Sequence, residues 1–269
     1  MVRELIPNSQ ITHRSPGKQI WLRLKRNRVT VFGLVIVLLY FFAALFPEVL
    51  TSYQPNKIDP ISALQSPSSL HILGTDEYGR DVFTRVIYGA RLSLSVGFFA
   101  VIIGLFIGGP IGIIAAHYGG VVEMILMRLM DILLALPGIM LAIALVAVLG
   151  TGMINVIIAL GIYNIPSFAR IARSTAITIR EEKYITAARM IGISEHKIIL
   201  KHMIPNSIGP LLVYSALRFG HAILLGSGLS FLGLGVQPPT AEWGAMLASS
   251  RDYIRVAPYL VFAYGVSLS

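Results

Sequence analysis

The stretch from Glu181 to Asn206, EEKYITAARMIGISEHKIILKHMIPN, is a charged segment set between long apolar runs, and its reading decides the fold. It carries too much charge to cross a bilayer, so it must lie in water beside one. Tyr184, Ala187, Ala188 and Ile191 recur at i, i+3, i+4 and i+7. That spacing predicts a short helix with one apolar stripe, while Glu181, Glu182, Lys183 and Arg189 stay hydrated. Gly192 is placed to end this helix, because glycine enters the left-handed region without strain. Ser194 is placed to cap a second helix from Glu195 to Met203, ahead of Pro205. The segment therefore predicts a small helix-turn-helix outside the hydrocarbon layer.

The runs on either side are long enough to span a core of about 30 Å at about 1.5 Å per residue. Val29 to Phe46 gives 18 uncharged residues and Leu92 to Ala116 gives 25, the first and second expected spans. Ile132 to Ala169 has no charge over 38 residues, too long for one helix, and Gly150-Thr151-Gly152 marks its division into a third and a fourth. The fifth is expected from Ser207 to Val236 with a single charge, Arg218. Val256 to Ser269 begins a sixth, whose 14 residues are shorter than a full crossing, so the chain is expected to stop within that span.

Composition agrees with a bilayer as the main solvent. Hydrophobic residues make up 55% and charged residues 13%, against about 25% charge in soluble domains. Mean hydropathy is +0.74. The net charge of +9 raises nucleic acid as a partner, but its distribution follows topology instead. Seven basic residues lie from Arg3 to Arg28 and seven more from Arg170 to Lys201, which marks the N-terminus and the Glu181–Asn206 loop as cytoplasmic. The segment from Pro47 to Arg91 holds four basic and five acidic residues, as an external loop should. There are no cysteines, so disulfides and thiolate chemistry are excluded.

Catalytic and cofactor motifs are missing. No phosphate-binding GxxxxGK[ST] loop exists, the only Gly-Lys pair being Gly17-Lys18, and no His or carboxylate cluster has zinc spacing. Neither a metal nor another cofactor is expected. Ser227 and Ser230 near His221 are the only candidates for an activated serine, and Gly226, Ser227 and Gly228 read better as close helix packing. Arg128 and Asp131, three apart at the internal edge of the third span, are expected to pair and orient the helix end. Arg218 lies about 11 residues into its span, where a lone charge costs several kcal/mol, so it should face a cavity or pair across helices.

The 181–206 loop resembles the coupling loop of binding-protein-dependent ABC importer permeases, whose pattern is EAA, three residues, Gly, nine residues, then I-x-L-P. Thr186, Ala187, Ala188, Gly192, His202, Ile204 and Pro205 occupy those places, with Thr186, His202 and Ile204 departing from it. GTDEYGRDVFTRVIYGARLSL from Gly74, MRLMDILLALP from Met127 and LSFLGLGVQPPTAEWGAML from Leu229 are similar to the dipeptide, oligopeptide and nickel branch. The resemblance implies an all-α polytopic bundle of the type I ABC importer (MetI-like) permease fold, with about six transmembrane helices, in the cytoplasmic membrane. It divides the chain into a cytoplasmic segment 1–28, a first transmembrane helix 29–50, an external loop 51–91 and a core permease domain 92–269.

The implied partners are a homologous permease subunit, two ABC ATPase subunits, an extracytoplasmic solute-binding protein and membrane lipid, with no nucleic acid. Glu182, Tyr184, Ala187, Ala188, Ile191, Gly192 and Pro205 would couple to the ATPases, although Glu182 serves equally to favour a helix N-terminus. The stripe could also rest on lipid; two adjacent alanines favour insertion into a protein cleft. Asp76, Arg80 and Asp81 would touch the binding protein or form a network within their own loop. Arg218 would line the translocation path or pair between helices. ATP hydrolysis would fall to the separate subunits, so the chain itself is not an enzyme. Peptides are the favoured cargo and nickel or a metal chelate the alternative. A secondary transporter or a membrane scaffold subunit stands as a different class.

Overall fold

The computed structural model describes residues 28–268, and the basic segment 1–27 lies outside the described residues. Two compact units divide at Phe42 and Ala43. Helix α1, Arg28–Leu45, carries the first apolar run. The larger unit holds α2 (Val82–Tyr118), α3 (Gly120–Leu134), α4 (Gly138–Leu149), α5 (Met153–Arg180), α6 (Lys183–Met190), α7 (Glu195–Phe231), α8 (Trp243–Ser250) and α9 (Pro258–Leu268). Among the described residues α2, α5 and α7 are long and apolar enough to cross a membrane singly, and α3 with α4 forms a broken fourth candidate. Two shorter apolar helices, α1 and α9, lie towards the two ends of the described chain.

Four boundaries differ from expectation, each for a local reason. Helix α2 starts at Val82 rather than Leu92, because the Asp81 side chain accepts from the Thr84 N–H and caps it. The external loop therefore ends ten residues early. The third span is not one straight rod: α3 and α4 meet at 85° across a break containing Pro137. Pro205 does not follow the end of a helix. Helix α7 runs from Glu195 through it to Phe231, since a turn of π-helix at Ile199–Met203 opens the backbone just before the ring that would otherwise crowd it. Helix α8 lies in a stretch where no helix was expected.

The core forms where α2 and α5 lie together, and glycines decide how close they come. Gly104, Gly108 and Gly112 fall at i, i+4 and i+8 on α2, and a Cβ at each would strike the Asn164 and Phe168 side chains, the Ile165 carbonyl or the Ala169 carbonyl. Ala100, Ile113, Leu160, Phe168 and Ala172 fill the space around this seam, with Leu229 from α7. Backbone contact of this kind is how helices associate where hydrophobicity gives no preference for protein over lipid.

Candidate functional site

Three clusters of polar residues stand apart from the apolar core, one at each end of the long helices and one at mid-depth. At the first end, α5 stops at Arg180, and Glu182 occupies the N-cap position of α6 with no side-chain hydrogen bond to the helix, so its part there is the charge alone. Helix α6 ends at Met190, and Gly192 two residues on, at a φ of +80°, closes the turn. Ser194 stands at the start of α7 without a side-chain cap bond.

The apolar stripe of this loop divides into two. Ile185 and Ala188 are buried within the chain itself, against a core that includes Ile198 and Met203. Tyr184, Ala187, Met190 and Ile191 are exposed on the other side. Of the expected interface residues, Ala188 therefore belongs to the inner face, while Tyr184, Ala187 and Ile191 form an outward ridge. Pro205 is exposed within α7.

A clip of one ion pair and one histidine hydrogen bond fixes the ridge to the bundle. Glu195 receives the Arg189 guanidinium at 3.1 Å and the His117 Nε2 at 2.9 Å, joining α6, α7 and the end of α2. Arg180 Nη1 donates to the Ala116 carbonyl at 2.6 Å. Beside it, Arg173 pairs with Glu123 and Arg170 with Asp131 at 2.6 Å. The expected Arg128–Asp131 pairing is thereby corrected: Asp131 reaches across to α5. His117 and Glu195 were not singled out by sequence; they lie 78 positions apart, and only the first polar residue after an apolar run marks His117.

At the other end, Asp76, Arg80 and Asp81 are 1%, 6% and 5% exposed. Asp76 accepts from Arg80 Nε at 2.6 Å and from the backbone N–H groups of Tyr78 and Arg80. Arg85 Nε lies 3.4 Å from Asp76, and its Nη1 donates to Pro55, Asn56 and Pro239. Asp81 binds His71 Nδ1 at 2.9 Å as well as Thr84. Burial pushes the Glu77 carboxyl above its ordinary range, against the pull of its backbone hydrogen bond. Of the two readings open for these side chains, the geometry supports the network within the loop: they are enclosed, and their bonds hold its shape. Ile58, Ile61, Leu70, Ile72 and Tyr78 are among the apolar residues the loop exposes.

At mid-depth, Arg218 on α7 donates through Nε at 2.9 Å and Nη2 at 2.6 Å to one oxygen, Asn164 Oδ1 on α5. Its guanidinium carbon lies 5.1 Å from the Tyr163 ring centroid, and Tyr163 stacks on His221 at 6.2 Å. Asn164 lies 11 residues into α5, about 16 Å from its start. The pairing expected of a membrane arginine is thus present, and its partner is neutral. Among the described residues no group of three His, Asp or Glu side chains could hold a metal ion.

Fold and loop together define a class: an all-α, multi-pass membrane bundle with one helical loop standing in water between long spans. Residues 108–269 match the family described as binding-protein-dependent transport system inner membrane component, and the chain belongs to that family. Residues 15–67 match the N-terminal TM domain of oligopeptide transport permease C. The chain is 46% identical to the dipeptide transport system permease protein DppC of Alkalihalophilus pseudofirmus, over 97% of this chain and 86% of that one. It is 41% identical to the glutathione transport system permease protein GsiD of Pectobacterium atrosepticum, over 92% and 82% respectively. It is also 41% identical to the di/tripeptide transport system permease protein DppC of Pseudomonas aeruginosa, over 96% and 87%. The fold is shared with the inward-facing MetNI methionine ABC transporter at a TM-score of 0.58 and 17% identity, over 69% of this chain and 88% of that one.

Proposed function

We propose that this chain is the permease subunit of an ATP-driven importer that moves di- or oligopeptides inward across the cytoplasmic membrane. Two ABC ATPase subunits, a homologous permease and an external solute-binding protein complete the assembly. The observation that carries the mechanism is the exposed ridge of Tyr184, Ala187, Met190 and Ile191, apolar side chains held out in water on a helix clipped to the bundle. A soluble ATPase that receives this ridge in a cleft would move α6, and the Glu195 clip would pass that movement to α2 and α7. Gly192 supplies the turn that lets α6 fold back, and Glu182 contributes negative charge at its N-terminus. The external loop offers the binding protein the apolar surface of Ile61, Leu70, Ile72 and Tyr78, shaped from within by Asp76, Arg80 and Asp81. The basic N-terminus and the 181–206 loop lie in the cytoplasm.

Peptide cargo is supported by the dipeptide, di/tripeptide and glutathione systems to which the similar permeases belong. None of these three names points to nickel. The test is uptake of radiolabelled alanylalanine into proteoliposomes holding this chain with its co-purified partners and loaded binding protein. ATP-dependent accumulation is expected. Accumulation driven by an ion gradient without ATP would instead make it a secondary transporter, and failure of any ATPase to co-purify would leave a scaffold role.

A further inference from the structure

The Arg218–Asn164 pair is an array of donors without an acceptor to match. The single oxygen of Asn164 takes two guanidinium N–H groups, leaving Nη1 with no partner among the described residues. Asn164 is 1% exposed, and its Nδ2 is buried with no hydrogen-bond partner. Exchanging the two amide atoms gives no relief, since that would set an NH2 against the guanidinium. No carboxylate of the described residues forms an ion pair with Arg218, although every arginine on α5 and α6 has a carboxylate or carbonyl acceptor. A full positive charge therefore stands near mid-depth, balanced among the described residues by an amide dipole and the face of Tyr163.

Such a site calls for an anion. Mid-depth excludes a lipid phosphate, which stays at the surface. Arg218 itself is only partly buried, so its outer edge stays reachable. The flat fork of an arginine matches a carboxylate, and the Tyr163 ring lies against it, 5.1 Å from the guanidinium carbon.

We propose that Arg218, held in orientation by Asn164 and Tyr163, is a mid-membrane station for a carboxylate of the peptide in transit. This rests on the peptide-importer reading. Asn164 and Tyr163 act as positioning residues, while the free edge of the guanidinium touches the cargo. The contact must be weak enough to release, which suits an arginine already shared with Asn164 in place of a bare charge.

Asn164→Asp tests this, because it gives Arg218 a permanent counter-ion without changing side-chain size. In the reconstituted complex it is expected to leave assembly and thermal stability at wild-type level or above, and to lower alanylalanine uptake about tenfold as its own carboxylate competes. Arg218→Gln is expected to lower uptake similarly with ATPase activity still stimulated by loaded binding protein, and Arg218→Lys to retain part of it. If Asn164→Asp transports as well as wild type, the station is overturned and the pair is a helix-helix contact. Loss of assembly in Arg218→Gln, with assembly kept in Arg218→Lys, would also overturn it, in favour of a carboxylate on the homologous permease. If the wild-type complex takes up no peptide at all, the importer reading fails instead, and that outcome is seen before any variant is compared.

Discussion

Ala187 and Ala188 are neighbours with opposite surroundings, and the pair separates folding from coupling more cleanly than any larger change. Ala188 is buried against the chain's own core, so a carboxylate there would lie unpaired in apolar surroundings. Ala188→Asp should destabilise the loop by about 2–4 kcal/mol, seen as a lower melting temperature and a lower yield of folded subunit. Ala187 is exposed, and Ala187→Asp should leave both unchanged while abolishing peptide-stimulated ATP hydrolysis. Wild-type coupling in Ala187→Asp would remove the ridge from the mechanism. The periodicity that placed both alanines on one stripe could not tell them apart. A spacing of 3.6 residues allows a stripe about 100° wide, and which edge of it faces inward depends on the core formed with Ile198 and Met203 from the following helix. Arg218 was legible as an anomaly, since a lone charge in an apolar run is visible without any structure. Its neutral partner Asn164 was not, because an asparagine in a long apolar segment announces nothing until the two helices meet.

At the scale of elements, the long spans were legible and the devices that bend or join them were not. Hydropathy reads the presence of α2, α5 and α7, because about 20 apolar residues have few other uses. It does not see a π-helical turn, which is why helix α7 passes Pro205 unbroken, nor the 85° corner at Pro137. Helix α8 escaped for a different reason. Its start is set by Glu242, 2% exposed, whose carboxylate accepts from the Gly244 and Ala245 N–H groups and from the Ser93 hydroxyl on α2. A cap completed by a residue 149 positions away has no local signature. The seam between α2 and α5 makes a prediction of its own. Gly108→Leu places a side chain against the Ile165 carbonyl and the Phe168 side chain, and should cost about 3 kcal/mol or prevent folding. Gly209→Leu, on the open side of α7 with nothing within 4 Å, should leave the isolated subunit as stable as wild type. If it also blocks assembly with the homologous permease, that partner covers this side of the helix. Equal thermal stability of the two variants would show that α2 and α5 do not depend on glycine contact.

For the molecule as a whole, the helix ends sort onto two sides, and the charges sort with them. The end of α2, the start of α3, the end of α5, helix α6 and the start of α7 share one side, tied by Arg180 to Ala116, Arg173 to Glu123 and His117 to Glu195. The external loop, the α4–α5 turn and the start of α8 share the other, where Arg85 reaches Pro239 and Gly152 bonds to Leu234. The basic excess of the first side predicts that it faces the cytoplasm, because arginine and lysine in short loops resist translocation. The absence of cysteine from the native sequence allows this to be measured without background labelling. Ser69 and Ser194 are exposed on opposite sides. Ser69→Cys should react in intact cells with a thiol reagent that cannot cross the membrane. Ser194→Cys should react only once the membrane is opened. Both substitutions are close in size and sit outside every bond described above, so transport should survive in each and report that the labelled protein is the working one. Reaction of both residues in intact cells would break the inward placement of the ridge, and with it the route from a cytoplasmic ATPase through Glu195 to the long helices. Reaction of Ser194→Cys alone would invert the molecule and set the buried Asp76–Arg80 loop on the cytoplasmic side.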